Sequence, residues 1–109
     1  MVKIIDEKKL FKIAFDLIKR SCVGIAPDAM QLLKNAYAKE RNLTAKSILE
    51  TMIRNSELAT TEGKPVCQSP GYPVVYATLG AGLKLDVGIQ TVFQKALVKA
   101  PGNCRLPHI

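Results

Sequence analysis

Apolar positions recur with a helical period through the first sixty residues of the chain, and then the period is lost. Between residues 6 and 21, Leu10, Ala14, Leu17 and Ile18 fall on one helix face, Phe11 and Phe15 widen it, and Lys8, Lys12, Lys19 and Arg20 fill the rest. Val23-Gly24-Ile25-Ala26-Pro27 interrupts the pattern as a connector. A second helix is expected from Pro27 or Asp28 to Lys39, with Met30, Leu33, Ala36 and Tyr37 as its stripe. Proline suits a first helical turn because its missing N–H has no partner there, and Asp28 complements the positive end of the helix dipole. Asn42 and Thr44 are two candidate N-caps for a third helix, which carries Ile48, Leu49, Met52, Ile53 and Leu58 and stops at Gly63.

From Lys64 to Tyr72-Pro73 the chain holds three prolines and a glycine in ten residues, which excludes helix and marks a turn. Val74-Val75-Tyr76-Ala77-Thr78-Leu79 then has the composition and length of a β-strand, ended by Gly80-Ala81-Gly82. Residues 85 to 99 read as a last helix, closed by Pro101-Gly102 and followed by a short tail. The expected fold class is helix-rich α+β: three N-terminal helices, a Pro/Gly loop, one strand and a C-terminal helix, in a single domain over residues 1–109. A lone strand cannot satisfy its own backbone groups, so it must pair with an unrecognised strand, with another copy or with a partner chain.

Composition narrows the class. The chain has 109 residues, 48% hydrophobic and 23% charged, which is ordinary for one small globular domain. No apolar run approaches the ~18 residues of a membrane span, and the N-terminus turns charged at once, so a cytoplasmic protein without membrane attachment is expected. Three cysteines, Cys22, Cys67 and Cys104, do not make a secreted disulfide framework. The net charge of +7 suits an anionic ligand, an acidic partner or nucleic acid. The basic residues are dispersed, however, and the chain has no Trp and few other aromatics for base stacking, which argues against nucleic acid.

Cys67 stands out among the groups that could carry chemistry. It lies in a proline-rich loop between a helix and a strand, a position where functional residues concentrate. A thiolate there could ligate a metal or an iron–sulfur cluster, or the side chain could be an inert packing cysteine. A nucleophile is less well supported, because the single histidine, His108, sits near the chain end. Cys22, at a helix end, reads as packing. Cys-x-x-Cys pairs, zinc-type His/Cys spacing, a Walker loop and a dinucleotide fingerprint are all absent.

Several segments, taken in order, carry a resemblance. They are Ile25-Ala26-Pro27-Asp28-Ala29, Leu33 to Glu40, Ala45 to Glu50, Asn55-Ser56-Glu57-Leu58-Ala59 and Lys64-Pro65-Val66-Cys67-Gln68. Together they resemble the opening of the class I fumarate hydratases and their L-tartrate dehydratase relatives, over roughly residues 10 to 100. In that family an Asn-x-x-x-Ala segment leads into a Pro-(Ile/Leu)-Cys-Gln-Asp-Thr-Gly loop and then a strand. The resemblance implies a [4Fe-4S] hydro-lyase, in which three cysteines hold the cluster. Its open iron acts as a Lewis acid on a 2-hydroxy dicarboxylic acid. Cys67 would be one cluster ligand, Gln68 and Ser69 would lie at the substrate, and Gly71 would permit the tight turn. No residue is assigned as catalytic. The family's Asp-Thr is Ser69-Pro70 here, and Cys22 and Cys104 do not match the other two ligand positions. The resemblance therefore implies a part or subunit of such an enzyme, completed by other hydro-lyase chains or by further copies. The alternative is a short non-catalytic homologue serving as an interaction or stabilising subunit.

Overall fold

The computed structural model describes residues 1–69 and 71–100. These form a short strand β1 (Lys3–Ile5), helices α1 (Glu7–Cys22), α2 (Pro27–Lys39) and α3 (Leu43–Glu62), a second short strand β2 (Leu83–Leu85) and helix α4 (Ile89–Lys99). The protein is thus helix-rich, with a small two-stranded sheet and a C-terminal helix. It divides into two compact units, one from residues 1–20 and 69–109 and the other from residues 21–68.

In the first unit β1 and β2 pair in parallel, with Lys3 opposite Leu83 and Ile5 opposite Leu85. Bonds from Lys3 N–H to the Gly82 carbonyl (2.8 Å) and from Asp86 N–H to the Ile5 carbonyl (3.4 Å) extend the ladder at both ends. Asp6 starts α1, its carboxylate accepting from Lys9 N–H at 2.7 Å. Lys19 and Arg20 in the last turn suit the negative helix end. Ala14 and Ile18 on α1 are buried, as are Val92, Ala96 and Ala100 at the other end of the unit. The four-residue steps put each set in one row along its helix. Glu7 pairs with Lys95, and the Lys99 ammonium lies 5.6 Å from the centre of the Phe11 ring. Both contacts advance by four residues on each helix, so α1 and α4 run parallel, as their strands do.

The second unit is a helical hairpin. Pro27 opens α2 as expected. Of the two candidate caps for α3, Asn42 serves, accepting from Ala45 N–H at 3.0 Å. Gly63 ends the helix at φ +64°, with Lys64 N–H returning to the Ala59 carbonyl at 3.0 Å. That is the left-handed closure for which glycine has no steric penalty. An ion pair, Lys34 to Glu57 at 3.2 Å, links α2 to α3.

Three sequence expectations are corrected. Val74–Leu79 has no regular secondary structure and joins no ladder; among the described residues the strands are β1 and β2, which pair with each other. Their three-residue length leaves little periodicity to read, and their partner positions lie far apart in sequence. The last helix begins at Ile89 after an N-cap at Gly88, not at residue 85, because Leu85 belongs to β2. The buried rows also differ from the apolar stripes: Leu17, Ile48, Met52 and Leu58 are exposed, while the small residues Ser56 and Ala59 are buried. Pro70, Pro101-Gly102, Cys104 and His108 lie outside the described residues.

Candidate functional site

The loop after α3 carries Cys67, and its backbone is fixed from two sides. Val66 N–H donates to the Cys22 carbonyl at the end of α1, at 2.9 Å. The Val66 carbonyl accepts from the Asn55 side-chain amide at 3.0 Å. Both backbone groups of the residue before Cys67 are therefore held, which restricts the positions open to the thiol. A third bond steadies the same end of the hairpin: the Thr60 hydroxyl donates to the Val23 carbonyl at 3.1 Å. Gly24 lies against that hydroxyl so closely that a Cβ there would sit 2.9 Å from Thr60 Oγ1.

Cys67, Gln68 and Ser69 follow one another and are all exposed. Cys22 is buried and contributes its backbone carbonyl to the loop, in keeping with a packing role for its side chain. Gly71, just beyond, has φ +87°, a conformation that favours glycine. Beside the loop, Lys64 is hydrogen-bonded to Glu62 at 2.6 Å, and this bond together with the carboxylate charge raises the lysine above its ordinary range.

Asn55 has a role that sequence reasoning did not assign. Its place in the Asn-x-x-x-Ala segment marked a resemblance, but nothing in its spacing showed that it reaches Val66, eleven residues on. The same side chain lines an open groove of about 490 Å³ along α3, with Thr51, Arg54, Glu57, Leu58 and Thr61. Ala59, four residues after Asn55, is buried, so the two residues of the motif divide the work of packing the helix and tying down the loop.

Whether a cluster fits can be judged from the donors present. Cys67 is exposed in a fixed loop and suits one ligand position. Among the described residues no group of three or more His, Cys, Asp or Glu side chains could hold a metal. These residues thus fit one position of a cluster and not a complete set. Nor, among the described residues, is any helix long and apolar enough to cross a membrane.

Comparison with known proteins gives two findings. The chain is 27% identical over 106 residues to a protein of Methanocaldococcus jannaschii provisionally named L(+)-tartrate dehydratase subunit alpha; the match covers 92% of this chain and 37% of the relative. The chain thus spans little more than a third of that curated relative's length. No solved structure matches it. The sequence also fits the fumarate hydratase (Fumerase) family model over residues 12–106, a stretch that includes most of α1, all of α2, α3 and α4, and the Cys67 loop. With most of its length inside that match, the chain belongs to the fumarate hydratase family.

Proposed function

We propose that the chain is a part or subunit of a cytoplasmic iron–sulfur hydro-lyase that adds or removes water at a 2-hydroxy dicarboxylic acid. The observation that carries this reading is the family match over residues 12–106, which includes the Cys67-Gln68 loop. In this reading Cys67 supplies one thiolate to a [4Fe-4S] cluster, and the remaining ligands come from other hydro-lyase polypeptide. The chain's own contribution is to hold that thiol in place: Asn55 and the Cys22 carbonyl fix the residue before it. Gln68 and Ser69, exposed beside it, offer an amide and a hydroxyl to a carboxylate or hydroxyl of the substrate. The net charge of +7 favours the approach of a dianion. No chemical step is assigned to the cluster, because the described residues do not form its full ligand set.

The test is anaerobic purification and reconstitution with iron and sulfide, with visible absorption and assembly mass measured together. Cluster absorption that disappears in Cys67→Ser, while helical circular dichroism is unchanged, supports the reading. A protein that stays colourless alone and with added hydro-lyase chains overturns it and leaves the stabilising-subunit role.

A further inference from the structure

The groove along α3 adjoins the loop that carries Cys67, and Asn55 belongs to both. Thr51, Arg54, Asn55, Glu57, Leu58 and Thr61 line this groove of about 490 Å³. From its wall the Asn55 amide donates to the Val66 carbonyl, in the peptide bond that joins Val66 to Cys67. Most other polar groups along the groove are committed. The Thr51 and Thr61 hydroxyls donate to the Ser47 and Glu57 carbonyls of their own helix, and the Glu57 carboxylate pairs with Lys34. The Arg54 guanidinium has no hydrogen-bond or ion-pair partner among the described residues.

We propose that Arg54 binds the substrate carboxylate that lies farther from Cys67, and so selects dicarboxylates over monocarboxylates. The inference rests on the dicarboxylate reading above and supplies the charge that Gln68 and Ser69 lack. Those two side chains are neutral and offer hydrogen bonds alone. A dianion leaving water calls for a cation as well, and the cations of residues 21–68 can be taken in turn. Lys34 and Lys64 are each paired with a carboxylate. The Lys46 ammonium lies over the Tyr37 ring, 4.9 Å from its centre. Lys39 and Arg41 sit at the turn that joins α2 to α3, about 18 Å of helix away from Asn55. That leaves Arg54, which directly precedes Asn55, and the shorter Asn55 side chain already spans the distance from α3 to the loop. The planar guanidinium meets a carboxylate with two parallel hydrogen bonds, which fixes the direction of the ligand as well as its charge.

The experiment is the rate at which iodoacetamide alkylates Cys67 in the whole chain, read by peptide mass so that the other cysteines do not contribute. L-malate serves as the dicarboxylate and L-lactate as the monocarboxylate, at matched ionic strength. Iodoacetamide is uncharged, so a slower rate reports occupancy beside the thiol. The expected result is saturable protection by L-malate, at a concentration at least about tenfold below that needed with L-lactate. Arg54→Gln raises the half-protecting malate concentration at least about tenfold. Arg54→Lys recovers part of the loss, because it keeps the charge without the planar fork. Arg41→Gln, the same change of charge at the far end of α3, leaves the value unchanged. Unchanged helical circular dichroism shows that the variants fold. Absence of protection by L-malate overturns the proposal, as does equal protection in Arg54→Gln, or an equal loss in Arg41→Gln. If the difference made by Arg54→Gln vanishes once another hydro-lyase chain is added, the guanidinium belongs to that chain's surface, and the proposal is overturned as well. The cluster reading fails separately: a protein that stays colourless on reconstitution, yet is protected by malate through Arg54, loses the cluster and keeps this site.

Discussion

In the unit built from the two ends of the described chain, Ala14, Ile18, Val92, Ala96 and Ala100 are buried, and β1 pairs with β2 across the sequence. In the α2–α3 unit the buried positions are Cys22, Ser56 and Ala59, and α2 buries no residue. There the fixing contacts are directional. They include the Asn42 cap, the Gly63 closure, Thr60 to Val23, Asn55 to Val66 and the Lys34–Glu57 pair. Apolar burial is non-directional and scales with area, so the first unit depends on shape and small residues meeting closely. Hydrogen bonds contribute less each but fix positions. The loop bearing Cys67 belongs to the unit that uses them, which suits a side chain whose placement matters more than its burial.

The contrast predicts a ranking of substitutions. Val92→Asp puts a carboxylate at a fully buried position, where none of its neighbours along the buried row can pair with it. Its expected cost exceeds about 3 kcal/mol, enough to abolish a cooperative urea transition followed by circular dichroism. Next is Gly63→Ala. Nothing lies within 4 Å of the added Cβ, so the cost is conformational alone, about 1 kcal/mol, seen as a lower urea midpoint with unchanged slope. A loss as large as that of Val92→Asp would show the α2–α3 unit to be no less dependent on tight packing. Asn55→Ala removes an exposed bond and is expected to cost under about 1 kcal/mol. Its larger effect is faster alkylation of Cys67 by iodoacetamide, and an unchanged rate would break the link between Asn55 and the thiol.

The smallest effect is electrostatic. Glu62 raises the Lys64 pKa through its hydrogen bond and its charge. The folded value lies above the unfolded one, so the stabilisation is complete below the ordinary lysine range. It is lost as pH rises through the raised value. Lys64 is exposed, and salt screens the pair. Lys64→Met is therefore expected to lower the melting temperature slightly at neutral pH and low salt, with the difference closing at high pH or high salt.

Local signals determined the helices and their ends. Pro27 at a helix start, Asn42 as a cap and Gly63 as a stop each act on a neighbouring backbone group, so each is legible from a few residues. The family resemblance and the place of Cys67 in a proline-rich loop were legible for the same reason, being patterns in sequence order. Tertiary structure alone decided the rest. Residues 3–5 and 83–85 pair because the fold brings them together, while the better strand former, Val74–Leu79, joins no ladder among the described residues. Strand propensity measures fit to a partner surface, and that partner is set by topology. Likewise, Asn55 reaches Val66 only because the chain reverses at Gly63, and Leu17 is exposed while Ala14 and Ile18 are buried because the buried row of α1 steps by four residues and Leu17 lies to one side of it. Periodicity identifies which residues are apolar; close packing decides which of them go inside.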